Sequence, residues 1–327
     1  MQGQASLILK RNSIERILRK STTEPELRKK LLLVRSLRAF AANRLKLPSE
    51  RVYTSYVELD RPFVVWNVAV SPEFDLDPKS WWYPVVGRLE HRGYFRERAG
   101  RRYGEKMRRK GFDVAVGGVL AYSTLGWFND PVLSSFITLP DEALADLIFH
   151  ELAHRRLFIA GDTDFNEAFA VAVAEAGVVA WLQDQGRSED AERYLGGVER
   201  HQMFMELILE LRETLAESYE NGDLEGWTVE KRRQEKSIHI DNFRQKFAGL
   251  LADDPEWSGY EAWVNNDINN AEINVLDTYY GYLPAFRNLL QHSSNWESFY
   301  SEVERIGQLS ASKRKHALLD SSRRQKD

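Results

Sequence analysis

The chain has 327 residues, 43% of them hydrophobic, and its 9 Trp, 13 Tyr and 16 Phe exclude a disordered polymer and suit one large domain or two intimate ones. A net charge of -4, with no basic stripe, argues against nucleic acid or an anionic membrane as partner. There is no cysteine, so disulfides and thiol catalysis are excluded and any metal must be held by His, Asp or Glu.

In chain order, residues 12–45 predict helices, with Leu27, Leu31, Val34, Leu37 and Phe40 at helical spacing. Residues 51–70 and 81–86 read as strand, with Pro62 marking an edge or a strand start. Residues 94–110 form a charged helix that stops at Gly111. Strands are predicted over 112–119 and 136–139, and a helix opens at Pro140-Asp141, with Asp141 as its N-cap. Residues 165–185 are Ala- and Val-rich and helical. Two long amphipathic helices, 190–220 and 229–251, are joined by the turn chemistry of Asn221-Gly222-Asp223. A helical block covers about 270–308. No run of about 18 or more apolar residues marks a transmembrane segment, and Met1-Gln2-Gly3-Gln4 opens without an apolar signal region.

The chemistry concentrates in Phe149-His150-Glu151-Leu152-Ala153-His154. Helical residues four apart share one face, so His150 and His154 can bring two imidazole nitrogens to one zinc ion. Glu151 stands beside the first histidine, where its carboxylate reaches water at the metal rather than the metal itself. Glu167, thirteen residues beyond His154, is the expected third ligand, with Glu175 as its rival. Asp162 and Asp164 are expected to serve the loop and the helix cap. The Asn166-Glu167 pair resembles the glutamate-zincin pattern, which carries a supporting acid one turn after the ligand. Here that position is Val171, so the support must come from elsewhere.

For the oxyanion a downstream tyrosine is expected, and Thr278-Tyr279-Tyr280-Gly281-Tyr282 supplies three, with Tyr279 taken as the candidate. An edge strand for the substrate backbone is expected over Val119–Trp127, whose Tyr122 and Trp127 serve equally well as packing aromatics. His91, His201, His239, His292 and His316 have no ligand-like spacing.

The chain further resembles a family of zinc aminopeptidases found among bacterial envelope lipoproteins. The resemblance runs from about residue 3 to 308 and rests on several stretches. These include Leu59-Asp60-Arg61-Pro62, Gly117-Gly118-Val119 and Ala121-Tyr122-Ser123-Thr124-Leu125-Gly126-Trp127-Phe128. They continue with Ile148 to His154, Gly161-Asp162-Thr163, Phe165-Asn166-Glu167-Ala168-Phe169-Ala170, Asn269-Asn270-Ala271 and Tyr279 with Pro284-Ala285-Phe286. It implies zinc on His150, His154 and Glu167, a catalytic Glu151, a peptide substrate and a periplasmic location, with a lipid anchor upstream.

The fold expected is α+β: a zincin-like mixed sheet with an HExxH active-site helix, and a mainly helical C-terminal region. The division expected is a metallopeptidase core over 1–187, a helical region packed on it over 188–310, and a partly mobile tail over 311–327. A hydrolase of a non-peptide substrate would carry the same motifs. A non-catalytic binding factor would have no use for Glu151.

Overall fold

The structure, a computed structural model, describes residues 10–83, 87–120, 129–277 and 282–323. The first half holds β1 (Asn12–Ser13), α1 (Ile14–Arg19), α2 (Pro25–Asn43), β2 (Ser55–Val57), β3 (Val65–Pro72), β4 (Trp81–Tyr83), β5 (Gly87–Leu89) and β6 (His91–Tyr94). Next come α3 (Glu97–Arg108), β7 (Phe112–Val119), β8 (Val132–Leu133), α4 (Asp141–Arg156) and α5 (Thr163–Asp184). The rest is helical: α6 (Ser188–Leu224), α7 (Val229–Asp253), a 3-10 turn (Pro255–Tyr260), α8 (Glu261–Val264), α9 (Asn270–Asp277), α10 (Leu283–Gln291), α11 (Trp296–Gly307) and α12 (Ala311–Arg323).

The protein is thus mixed α+β and mostly helical. Its described strands form three small sheets, ordered β1-β2-β8, β6-β3-β7 and β4-β5. The chain divides into two units that interleave in sequence, where a front-to-back split at 187 was expected. One comprises Met1–Val65, Gly118–Leu195 and Tyr279–Asp327, and the other Trp66–Gly117 and Gly196–Thr278.

In the first unit, α2 starts on Pro25 under a Glu24 side chain that accepts from the Leu27 N–H. Its buried stripe is Leu31, Val34, Leu37, Phe40 and Ala41. In the small sheet, β2 pairs with β1 antiparallel and with β8 in parallel. Around α5 the core is aromatic: Phe169 stacks on Phe299 with ring centroids 6.0 Å apart and Phe165 meets Phe286 edge-on at 5.0 Å. The segment expected to be a partly mobile tail, 311–327, supplies α12 over Ala311–Arg323, whose Arg314 is buried and reaches the Asp162 carboxylate and the carbonyls of Gly307 and Leu309.

The second unit packs Val68 and Val70 of β3 with Val114 of β7 and Met107 of α3. Its polar keystone is Asn270, fully buried. The Asn270 amide donates to the carbonyls of Pro72, Glu73 and Asp75, and its oxygen accepts from the Tyr219 hydroxyl. Asn269 caps α9, accepting from the Ala271 and Glu272 N–H groups. The Asn269-Asn270-Ala271 motif is therefore a cap and a clamp.

Several local expectations are corrected. Residues 136–139 are a tight turn, since Phe136 and Ile137 both donate to the Leu133 carbonyl. The cap position of α4 is Pro140, and Asp141 instead accepts from Lys30. Asn221-Gly222-Asp223 continues α6, and the chain turns at Gly226, where φ is 64°. By length and mean hydropathy α5 could cross a bilayer, but Glu167 and Glu175 interrupt its apolar run and 67% of the window is buried within the protein.

Replacing Asn270 with Ala would remove the amide donor from the Pro72 and Asp75 carbonyls and the acceptor of a buried hydroxyl, while the Glu73 carbonyl keeps Lys236 as a donor. Stability should fall by about 1–3 kcal/mol. A urea midpoint indistinguishable from wild type would show that the clamp contributes nothing.

Candidate metal centre

The apolar face of α4, with Leu144, Ile148, Phe149, Leu152 and Ala153 fully buried, fixes the rotation of the helix and turns His150 and His154 to one side. The chain then leaves α4 through Leu157 and turns at Gly161, whose φ of 80° suits a residue without a Cβ. Asp162 caps α5 by accepting from the Phe165 N–H. Asn166 holds the turn from both sides: its oxygen accepts from the Ile159 N–H at 2.7 Å and its amide donates to the Ile159 carbonyl at 2.8 Å. These contacts set the start of α5 and aim the next residue, Glu167.

The Glu167 carboxylate meets both histidines. Its Oε2 lies 3.3 Å from His150 Nε2 and its Oε1 3.5 Å from His154 Nε2, while the two nitrogens are 3.1 Å apart. Two ring nitrogens at that distance leave room for at most one proton between them, and a third anionic group faces both. A cation resolves that crowding, and this group of ligand atoms, all within 4.8 Å of one another, could hold a metal ion. Among the described residues no other set of three or more His, Asp or Glu side chains converges this way.

The electrostatics follow from burial. Burial opposes the Glu167 charge, but hydrogen bonds from both imidazoles outweigh it and hold the carboxyl well below its ordinary range. Glu151 does not join the triangle. Burial pushes its pKa up, the two histidines pull it down, and the charges of Glu167 and Asp130 raise it again. Its Oε2 is buried without a hydrogen-bond partner among the described residues, and so is His154 Nδ1.

Glu175, the rival ligand, is held elsewhere: Arg287 donates to both of its oxygens at 2.8 Å. Asp162 is the cap of α5 and pairs with Arg314, and Asp164 is an exposed first-turn residue. Tyr279, Tyr122 and Trp127 lie outside the described residues.

Sequence reasoning passed over the residues behind the triangle. Asp146 is one turn before His150 and accepts a hydrogen bond from the Tyr194 hydroxyl. Tyr53, 3% exposed, has a positive φ of 53°, uncommon for a bulky side chain, and its N–H donates to the Asp130 carbonyl at 2.8 Å. Burial raises the Tyr53 pKa, and the nearby charges of Glu151 and Asp130 add to it. Helical period alone could have found Asp146; nothing local distinguishes Tyr53.

A family model described as "Putative aminopeptidase" matches residues 1–318 of this chain. No curated protein and no solved structure matches it.

Without metal, His150 and Glu167 form a buried ion pair. Burial lowers the His150 pKa, but the Glu167 hydrogen bond and the charges of Glu151, Glu167 and Asp146 outweigh it and leave it above the ordinary 6.5. A histidine raised on folding contributes stability in full below its unfolded pKa and loses it as pH rises through the folded one. Metal-free wild type should therefore lose thermal stability relative to metal-free His150→Gln as pH rises above the ordinary histidine value of about 6.5. Parallel melting profiles for the two chains would contradict the pair.

Proposed function

Since the chain belongs to the family described as "Putative aminopeptidase", we propose that it is a zinc-dependent peptidase releasing residues from the N-terminus of peptides, with a zincin-like HExxH site. The observation that carries the reading is the ligand triangle. Zinc bonds of about 2.0–2.1 Å at tetrahedral angles set donor atoms roughly 3.3–3.4 Å apart. The separations of 3.1, 3.3 and 3.5 Å bracket that value. His150, His154 and Glu167 would hold the ion, and three protein ligands with one open position are the donor set of a catalytic zinc. Zinc bound there supplies Lewis-acid chemistry, polarising a carbonyl and lowering the pKa of water to about 7.

The chain's own residues do the rest. Glu151 is a carboxylate without a structural partner on Oε2, which leaves it available as the base. It takes a proton as the water oxygen attacks the peptide carbonyl carbon. It passes that proton to the leaving nitrogen as the C–N bond breaks. Burial, which raises its pKa, makes it a better acceptor than an exposed glutamate. Arg287 ties up Glu175 and so keeps a competing carboxylate out of the ligand set.

Two measurements test this. Purified chain should contain about one zinc, and His150→Ala with His154→Ala should remove it; stoichiometric zinc in that double variant would refute the ligand set. Glu151→Gln should keep the metal while kcat on a peptide library falls about a hundred- to ten-thousand-fold. A zinc-loaded wild type that cleaves no peptide in a broad library would refute the peptidase.

A further inference from the structure

The chain-wide charge of -4 speaks against an anionic partner, but that charge is unevenly spread. Residues 88–110 carry ten Arg and Lys against three Glu, and they belong to β5, β6 and α3 of the second unit. We propose that α3, with the β4-β5 ribbon beside it, is a docking surface for the anionic headgroups of a lipid bilayer. The surface needs no metal and is independent of the peptidase chemistry.

The packing of α3 fixes which side is displayed. Gly100, Gly104 and Met107 are buried. A Cβ on Gly104 would come within 3.0 Å of Val116 and 3.2 Å of Val114, so the helix lays bare backbone on β7. A 3.6-residue period then puts Arg98, Arg102 and Arg109 on the opposite side, and these three and Lys106 are exposed. Among the described residues none of the four enters an ion pair, whereas Arg101 of the same helix pairs with Glu97. Glu105 is the acid that stands among them. Arg98, Arg102 and Lys106 follow one another at four-residue steps, where like charges repel. A negatively charged surface turns that repulsion into attraction.

The ribbon adds an apolar element. Trp81 packs edge-on against Tyr103 of α3, with ring centroids 6.4 Å apart. Alternation along the strand turns the next side chain, Trp82, to the other face of the ribbon, where it is 67% exposed. Arg88 stands opposite Trp82 in the register and is exposed beside it. Arg92 of β6 lies over the Tyr94 and Tyr103 rings, 5.7 and 5.2 Å from their centroids, and ties β6 to α3. A tryptophan in water beside arginines suits a bilayer interface, with the indole at headgroup level and the guanidinium groups on phosphate. A nucleic-acid duplex would engage the arginines but offers the indole no apolar layer.

The test is co-sedimentation of the purified full-length chain with vesicles of phosphatidylcholine alone and of phosphatidylcholine mixed with phosphatidylglycerol. A duplex oligonucleotide serves as the competing polyanion, all at about 0.1 M salt, where exposed charges still act over roughly 10 Å. Wild type should bind the mixed vesicles and not the neutral ones. A basic group at an anionic membrane contributes about fivefold, so Arg98→Gln, Arg102→Gln and Arg109→Gln together should weaken binding about 100-fold. Trp82→Ala should weaken vesicle binding and leave any oligonucleotide binding unchanged. These side chains are exposed, so thermal unfolding should match wild type and lost binding is not a folding defect. Wild type that ignores the mixed vesicles or binds neutral ones equally well, or a triple variant within twofold of it, would overturn the proposal. Tighter binding to the oligonucleotide than to the vesicles, with Trp82→Ala indistinguishable on both, would assign the face to nucleic acid instead and overturn the membrane reading.

Discussion

At Gly177 of α5 a Cβ would stand 2.9 Å from the Phe149 ring of α4 and 2.8 Å from Leu45 Cδ1, in the segment that follows α2, so both side chains pack directly against bare backbone. The triangle of His150, His154 and Glu167 spans the same helix pair. His150 and His154 sit on one helix and Glu167 on the other, and the ligand separations of 3.1–3.5 Å tolerate little change in the distance between them. An apolar contact sets the distance because interiors pack to fixed separations and do not deform smoothly. The aromatic layer of Phe165, Phe169, Phe286 and Phe299 presses on α5 away from the ligands.

A packed helix pair is a costly place for charge. Glu151, Glu167, Asp146 and Glu175 are all drawn from water, and burial pushes each of their pKa values up. The chain answers each differently. Arg287 neutralises Glu175, Tyr194 holds Asp146, and the two histidines hold Glu167. Glu151 Oε2 is left without a donor. Buried polar atoms are nearly always satisfied, and the exceptions gather where chemistry is done. The electrostatics thus separate a carboxylate held charged by two imidazoles, Glu167, from one whose Oε2 has no donor, Glu151.

The motif residues divide into chemistry and architecture, and only the structure separates them. Asn166 stands beside a ligand, yet both ends of its side chain hold Ile159. Asn270 looks as polar and available as any site residue, yet it is sealed among three carbonyls and a tyrosine. Arg61, in the Leu59-Asp60-Arg61-Pro62 stretch, donates to the Phe63 and Val64 carbonyls. Buried polar side chains that satisfy backbone groups specify a loop path, which is a structural reason for so polar a pattern.

What the sequence determined by itself was whatever depends on one helix. The spacing of His150 and His154 and the stripe Leu31, Val34, Leu37 and Phe40 are local consequences of a 3.6-residue period, and the mixed α+β class follows from that period beside the two-residue alternation of the strands. What needed the tertiary structure was everything decided between elements. The sequence left Glu167 and Glu175 as rivals; in the structure Glu167 meets both histidines, while Glu175 meets Arg287, 112 residues away. It marked 311–327 as a tail, because the partner of Arg314 is an aspartate 152 residues away. It saw turn chemistry at Asn221-Gly222-Asp223, where α6 runs on to Leu224, and a strand at Phe136–Leu139, where backbone bonds close a turn. Propensity describes a residue's own backbone, whereas a carboxylate's role is set by which charge is packed against it.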